Sequence, residues 1–462
     1  MNELNATTYR PHPLDARLAA VLPAGSLFAV GGRVRDELRD PGGAEPHDLD
    51  YVVAGVPLER VLAALAALGR VDLVGASFSV IKLTVGGTTV DVALPRRERS
   101  TGTGHRDFAV ESGPEIPLQD DLSRRDFRMN MIARALPDGQ LVDPFDGAAD
   151  IAAKRIAILT SRTFAEDPLR LLRAAQFAAR FGFAADAATV AAMREAAPLV
   201  ATVSAERVAD ELTKLLTLAP KPSTGFELLR ETGVLAHLWP ELLEGVGVEQ
   251  NEWHAYDVWH HTMAAVDAVP PGDLISRASG LLHDVGKPRT KDGPHFYRHE
   301  HVGAEMARAM LERFRFSHET VAGVEHLVRQ HMYSQDPGLS DAAVRRFVRR
   351  IGPGLLERQF ALRRADIAGS GLPKRDDSNE RFEARVWEEV ARRPAFSIAD
   401  LAVGGADVIA AMVERGLAEP GFAGDARVGT ALHWLFEQVT DAPERNERSS
   451  LLHLLERHFG SL

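Results

Sequence analysis

The sequence predicts an α/β head followed by an all-α body, and three observations carry that expectation. Residues 20–145 alternate short apolar runs with turn residues, the pattern of strands interleaved with helices. From Ile151 onward the strand signal disappears and apolar residues recur at helical spacing. Ten of the 17 histidines fall between His254 and His331, far more than an even spread would put there, which marks a separate domain inside the body. The chain has 462 residues, several times what one compact domain needs.

The elements follow in order. Ser26–Val30 is an apolar run that ends at Gly31-Gly32, and Arg33-Val34-Arg35-Asp36-Glu37-Leu38 starts like a helix. Leu49–Val53 reads as a strand and Pro57–Leu68 as a helix. Val80–Val85, a Gly86-Gly87 turn and Thr88–Ala93 predict a hairpin. A second hairpin is expected from Arg128–Leu136, Pro137-Asp138-Gly139 and Gln140–Asp143. Pro168–Phe181 carries a helical stripe at Leu169, Leu172, Ala175 and Ala179, and Ala187–Met193, Ala205–Leu218 and Gly225–Leu235 repeat it. The remainder reads as helices punctuated by Pro270-Pro271-Gly272, Gly352–Gly354 and Gly404-Gly405.

Composition narrows the function. Hydrophobic residues make up 45% and charged residues 26%, enough to bury a core, which excludes a disordered chain. No apolar run approaches the roughly 20 residues of a membrane span. Met1–Asp15 lacks a charged segment followed by an apolar one, so no secretory signal is expected and the cytoplasm is the expected location. Without a single cysteine there can be no disulfide, zinc–thiolate site or cysteine nucleophile, so any metal must rest on His, Asp and Glu. A net charge of -11 argues against non-specific coating of nucleic acid, while leaving room for a local basic face.

The head carries the first constellation. Asp48-Leu49-Asp50 runs into Tyr51-Val52-Val53, and on a strand residues i and i+2 face the same way. Two hard oxygen donors so placed suit a pair of Mg²⁺ ions, which can activate a 3′-hydroxyl and stabilise leaving pyrophosphate. The glycines 31 and 32 let backbone N–H groups approach phosphates at a helix start, and Arg35 adds positive charge. Asp91, between Val90 and Val92, supplies a third carboxylate as ligand or base.

Together with Ala93-Leu94-Pro95-Arg96-Arg97-Glu98, Gly102-x-Gly104-His105-x-x-Phe108, Asp121-Leu122-x-Arg124-Arg125-Asp126-Phe127-x-x-Asn130, Asp143-Pro144-Phe145-x-Gly147 and Glu166-Asp167-Pro168-Leu169-Arg170-x-x-Arg173, this set resembles one family. It is that of the class II tRNA nucleotidyltransferases (CCA-adding enzymes) and bacterial poly(A) polymerases, whose head is polymerase-beta-like. The motifs stand in order over about 150 residues. The resemblance implies that Asp48 and Asp50 hold Mg²⁺, with Asp91 as the third catalytic carboxylate. It implies further that Gly32, Arg35 and Arg125 contact the triphosphate, and that Asp167 and Arg170, with Arg173, read the edge of the incoming base. A carboxylate accepts from an exocyclic amine and a guanidinium donates to ring acceptors, so such a side-chain template is chemically reasonable. Spacing of i and i+3 on one helix would let Asp167, Arg170 and Arg173 converge. The chain departs from the family pattern at Gln176, where an arginine is common, and in Arg128-Met129-Asn130-Met131.

The body carries the second. Leu282-His283-Asp284-Val285-Gly286-Lys287-Pro288 joins two adjacent ligands at a helix end, with His260-His261 upstream and His299-Glu300 and Asp366 downstream. The order His, His-Asp, Asp is similar to that of HD-domain phosphohydrolases. That likeness implies a divalent metal on His261, His283, Asp284 and Asp366, with His299 and His331 nearby. The division expected is a nucleotidyltransferase head at 1–150, a helical neck with the nucleotide template at 151–245, an HD domain at 246–370 and a helical tail at 371–462.

Four functions compete. CCA addition to the tRNA 3′ end from CTP and ATP leads, with partial CC- or A-addition as a variant set by the loop at 97–117. A poly(A) polymerase would often carry a basic C-terminal extension, whereas Asp441–Leu462 mixes charges. An HD phosphohydrolase with a regulatory head is disfavoured by the intact Asp48, Asp50 and Asp91, and a non-catalytic RNA-binding protein by the acidic balance.

Overall fold

A computed structural model describes residues 9–43, 49–74, 80–100, 108–392 and 394–460, with backbone alone for 98–100 and 108–110. Two compact units divide the chain, Met1–Pro240 and Glu241–Leu462.

The first unit is built on a seven-stranded sheet. Its strands are β1 (Leu27–Val30), β2 (Asp50–Val53), β3 (Arg70–Val74), β4 (Val80–Val85), β5 (Thr88–Ala93), β8 (Ala133–Ala135) and β9 (Leu141–Val142), in the order β3-β4-β5-β2-β1-β8-β9. All neighbours run antiparallel except β2 and β5, which pair in parallel. In β4, Ile81, Leu83 and Val85 point into the core while Lys82 and Thr84 do not, the alternation that period 2 requires. Central β2 is instead apolar throughout after Asp50, because Tyr51, Val52 and Val53 are all buried. Strands β6 (Arg96–Ser100) and β7 (Phe108–Ser112) form a separate antiparallel ribbon.

Helix Gly32–Arg39 follows β1 directly. It carries three buried charges: Arg33, Arg35 and Glu37. Arg33 pairs with Asp15 at 2.6 Å and with Glu37 at 3.1 Å, and Arg134 of β8 reaches the other oxygen of Glu37 at 3.0 Å. Tyr51 donates its hydroxyl to Asp15 at 2.7 Å. Burial of unpaired charges would be costly, and this closed network of partners is what makes it tolerable.

Beyond the sheet the unit is helical, with Arg170–Phe181, Ala187–Ala196, Ala205–Leu218 and Pro222–Glu231. The expected Gly225–Leu235 helix stops at Glu231, because Gly233 takes φ +76° and turns the chain before a short helix at Leu235–Leu238. The second expected hairpin is also shorter. Arg128–Asn130 is a helical turn, and only Ala133–Ala135 pairs with Leu141–Val142. Asn130 turns inward there to bond Asp126 and Arg35, which removes these residues from the sheet. Strand structure also persists past Ile151 in two-residue pairs, Arg155–Ile156 with Ala184–Ala185 and Lys291–Asp292 with His295–Phe296, too short to leave an alternating pattern.

The second unit is all helix apart from the latter pair. Val258–Ala268, Leu274–Leu282, His299–Arg313, His318–Gln330 and Leu356–Gly369 form its first bundle. Asp257 and Asp273 cap the first two by accepting from the N–H groups of His260 and Ser276. Two glycines set the approach of these helices. A Cβ on Gly369 would stand 2.8 Å from Ala265 N, and one on Gly286 would stand 2.4 Å from His299 O. Bare backbone at these points lets the helices bearing His261 and Asp366 cross closely, and seats the start of His299–Arg313 against the His283-Asp284 turn. A Phe347–Phe360–Phe382 cluster and a further core from Ala395 to Phe459 complete the unit.

Candidate active sites

In the first unit the site forms where β1 ends and β2 begins, beside the fourth residue of β5. Register places Asp50 directly opposite Asp91 on the parallel pair, and Val30 opposite Asp50 on the antiparallel one. Paired residues of neighbouring strands present side chains to the same face, so the two carboxylates stand together. Asp48 lies outside the described residues. Gly31 follows Val30 with φ +75°, and a Cβ there would lie 3.3 Å from both Asp50 Oδ2 and Arg125 Nη1. Carboxylate and guanidinium thus close over a backbone that only glycine leaves open.

The basic residues come from three segments. Arg125 rests on Asp121 at 3.3 Å, and its buried Nε has no hydrogen-bond partner among the described residues. Arg35 bonds Asp36 at 2.8 Å and Asn130 at 3.0 Å, with its guanidinium 4.7 Å from the Phe181 ring centroid. Asn130 donates to Asp126 at 2.7 Å, and Asp126 takes Arg173 at 2.7 Å. Burial would raise the Asp126 carboxyl, but Arg173 and the Asn130 bond hold it below its ordinary value. One chain of polar contacts therefore joins the Gly31-Gly32 helix to the helix Arg170–Phe181.

Asp167 and Arg170 do not sit on one helix face. Asp167 is extended, between the helices Thr163–Glu166 and Arg170–Phe181, so the i, i+3 argument does not describe it. Its carboxylate takes Arg207 at 2.9 Å, whereas Arg170 pairs with Glu166 at 3.3 Å and donates to the Arg124 carbonyl at 2.6 Å. Gln176 is buried in the same helix, with an amide nitrogen that has no hydrogen-bond partner among the described residues.

Two of these partners escaped the sequence reading. Lys82 meets Asp91 at 2.8 Å, and the Gly86-Gly87 hairpin would have given it, since that turn pairs residue 82 with residue 91. Arg207 is 40 residues from Asp167 and carried no local signal.

In the second unit the predicted metal residues converge. His261 Nε2 lies 3.1 Å from His283 Nε2 and from Asp284 Oδ2, and 3.4 Å from Asp366 Oδ1. His299 Nε2 lies 3.1 Å from His331 Nε2 and 3.4 Å from Asp284 Oδ1. Asp284 is therefore shared by two donor groups, one with His261 and His283 and one with His299 and His331. His254, part of the histidine-rich stretch but not assigned, joins a third group with His261 and Asp366.

The donor set fits a divalent cation. His283, His299 and His331 turn Nδ1 toward the carbonyls of Gly280, Phe296 and Val328, at 2.9, 2.8 and 2.7 Å. Nδ1–H donation to those carbonyls leaves each Nε2 lone pair facing the cluster, the arrangement that orients metal-binding imidazoles. Facing lone pairs at 3.1 Å repel unless a positive charge lies between them. Burial disfavours a charged His261, but Asp284 and Asp366 outweigh it and raise its pKa to about 9. Burial and neighbouring positive charge push His331 down to about 3, so it is neutral and free to ligate. A bound cation must displace the His261 proton. Lys287 lies 2.6 Å from Asp284 as an ion pair and Arg363 bonds Asp366 at 2.8 Å, which adds cationic groups beside the cluster.

Three segments of the chain resemble known families. Residues 27–157 match the poly A polymerase head domain, 182–245 the "probable RNA and SrmB-binding site of polymerase A", and 253–369 the HD domain. The multifunctional CCA protein of Verminephrobacter eiseniae is 36% identical over 430 residues, spanning 89% of this chain and 100% of that protein. That of Aromatoleum aromaticum is 38% identical over 74% of this chain and 82% of its own. Among solved structures, the Bacillus stearothermophilus CCA-adding enzyme in complex with CTP superposes with a TM-score of 0.69 at 22% identity, over 94% of this chain and 93% of that one. The Thermotoga maritima CCA-adding enzyme complexed with tRNA gives 0.59 at 20%, over 99% and 98%. These two likenesses concern the fold.

Proposed function

Because the chain belongs to the multifunctional CCA protein family, we infer that it adds C, C and then A to the 3′ end of tRNA from CTP and ATP. The observation that carries this reading is the Asp50–Asp91 pair on adjacent parallel strands, with Asp50 and Arg125 meeting over the backbone of Gly31. The terminal 3′-oxygen of tRNA attacks the α-phosphorus of the incoming nucleotide, the bond to the β-phosphate oxygen breaks, and pyrophosphate leaves. Asp48, Asp50 and Asp91 would hold Mg²⁺, which would supply positive charge to stabilise that transition state. Hard carboxylate oxygens suit it. Gly32 and Arg35 meet the triphosphate at the helix start, and Arg125 reaches it from across Gly31. Work on tRNA ends is consistent with the cytoplasm. Among the described residues no helix is long and apolar enough to cross a membrane.

Asp167, Arg170 and Arg173 are assigned to the template. Each is tied to a neighbour rather than to another of the three, which fixes their positions before a base arrives. Arg170→Ala should lower kcat/KM for CTP and ATP and relax the exclusion of UTP and GTP. A bidentate contact discriminates by about 1–3 kcal/mol, which is about five- to 150-fold. Assays with all four nucleotides on a tRNA ending in CC would read this, and an unchanged ATP-to-UTP ratio would remove Arg170 from the template. Stepwise extension of a tRNA transcript with CTP alone, ATP alone and both tests the overall reading. Complete CCA is expected only with both, and a stop after CC with both present would make this a CC-adding enzyme.

The histidine cluster supports a second activity, hydrolysis of phosphate esters. His261, His283, Asp284 and Asp366 would hold a divalent cation, which would supply Lewis acidity toward a phosphoryl oxygen. Imidazole and carboxylate donors together suit a transition metal better than Mg²⁺. Lys287 and Arg363 stand where they can offset the charge of a bound phosphate.

A further inference from the structure

The helix Arg170–Phe181 ends in an aromatic step. Gly182 takes φ +67° and stops the helix, so the Phe181 ring belongs to its last turn. That ring stacks on Phe177, one turn back, with centroids 5.4 Å apart and planes 11° from parallel. Phe183 packs against it at 5.8 Å. Phe127, the residue after Asp126, meets Phe177 edge-on at 6.0 Å. Packing therefore fixes how the Phe181 ring is turned.

Three guanidiniums gather at this ring. Arg35 lies 4.7 Å from its centroid, Arg39 4.8 Å and Arg180 5.2 Å. Phe177 is shared in the same way, by Arg35 at 5.3 Å and Arg173 at 5.1 Å. Cations crowded around one ring repel each other, and the negative π face and the carbonyl end of the helix offset that repulsion. Arg35 is buried among them. Its Nε and Nη2 donate to the two oxygens of Asp36 at 3.1 and 2.8 Å, and its Nη1 donates to Asn130 at 3.0 Å. Such bonds hold the edges of a planar guanidinium, which can still tilt about them. A ring beneath it limits that tilt. Of the five N–H groups, those three bonds leave two for phosphate oxygens, and their direction follows the plane.

We propose that Phe181 is a positioning residue for nucleotide addition: its ring, held by Phe177, seats the Arg35 guanidinium at the angle that grips the incoming triphosphate. The inference rests on the reading of Arg35 as a triphosphate contact, and it names what makes that contact rigid. The helix Arg170–Phe181 then serves the reaction at both ends. Arg170 and Arg173 in its first turn face the base, and Phe181 in its last turn steadies the phosphate grip.

The test uses the full chain with Mg²⁺, measuring ATP on a tRNA ending in CC and CTP on a tRNA lacking it. Phe181→Leu keeps an apolar side chain and removes the π face. KM for ATP and for CTP should rise alike, by roughly five- to thirtyfold, because the triphosphate is common to both. The ATP-to-UTP ratio of kcat/KM should hold, since the base is read elsewhere. Phe181→Tyr, which keeps a ring, should restore the wild-type KM. In an Arg35→Ala background Phe181→Leu should add nothing, because it acts through the missing guanidinium. A wild-type KM in Phe181→Leu beside a raised one in Arg35→Ala would overturn the inference alone. A wild-type KM in Arg35→Ala would overturn the triphosphate reading as well. Effects that multiply in the double variant, or that fall on the ATP-to-UTP ratio instead of KM, would also refute the positioning role. If the wild-type chain extends no tRNA, the CCA-adding reading fails and calorimetric affinity for ATP with Mg²⁺ decides the inference separately. A loss of the same size in Phe181→Leu, absent from Phe181→Tyr and from the Arg35→Ala background, would uphold it. Equal affinity in Phe181→Leu, or none in the wild type, would refute it.

Discussion

Replacing Asp50 or Asp91 with alanine is expected to cut nucleotide addition by about a thousandfold or more while tRNA binding persists. Metal-mediated charge stabilisation supplies several kcal/mol, and each 1.36 kcal/mol is a factor of ten. Neither residue belongs to the apolar core, and both are partly exposed, Asp50 at the start of β2 and Asp91 within β5, so the fold should survive. Binding of tRNA rests mainly on contacts to its phosphates, which these carboxylates do not make. Single-turnover addition beside a filter-binding measurement would show the split, and turnover within tenfold of wild type would refute the assignment. Lys82→Ala, which removes only the partner of Asp91, should cost far less.

The second large effect concerns the histidine cluster. In His283→Ala combined with Asp284→Ala, metal content and phosphate-ester hydrolysis should both be lost. Asp284 serves two donor groups, so its removal dismantles both at once. Nucleotide addition should continue, because Asp50 and Asp91 lie in the compact unit that ends at Pro240 and the cluster in the one that begins at Glu241. Metal analysis and both assays on one preparation decide the matter. Loss of both activities in a folded protein would contradict the separation.

Much of this was legible in the residues. Short-range signals did best: the Gly86-Gly87 turn gives the β4–β5 register, and the Leu282–Pro288 segment gives the adjacent His283 and Asp284. The family motifs supplied Arg125, Asp167 and Arg170. What stayed hidden depends on contacts distant in sequence. Nothing local says that β2 pairs in parallel with β5, since two other strands intervene. Nothing local marks Arg33 and Glu37 as buried, yet they are, because Asp15 and Arg134 arrive from elsewhere. The same reason hid Arg207 beside Asp167. His254 lay in the histidine-rich stretch, but only the packed bundle singles it out from its neighbours.

The Asp50–Asp91 pairing has a consequence for quality control. The separation of their backbones is set by the spacing of two strands, about 4.8 Å. A slip of one residue between β2 and β5 would send one carboxylate to the opposite face. A mispaired molecule would thus fall silent instead of becoming careless, because the error that misplaces the carboxylate also stops the chemistry. Assembly of the sheet acts as a licence to react, and the tRNA pool is shielded from the products of badly folded copies.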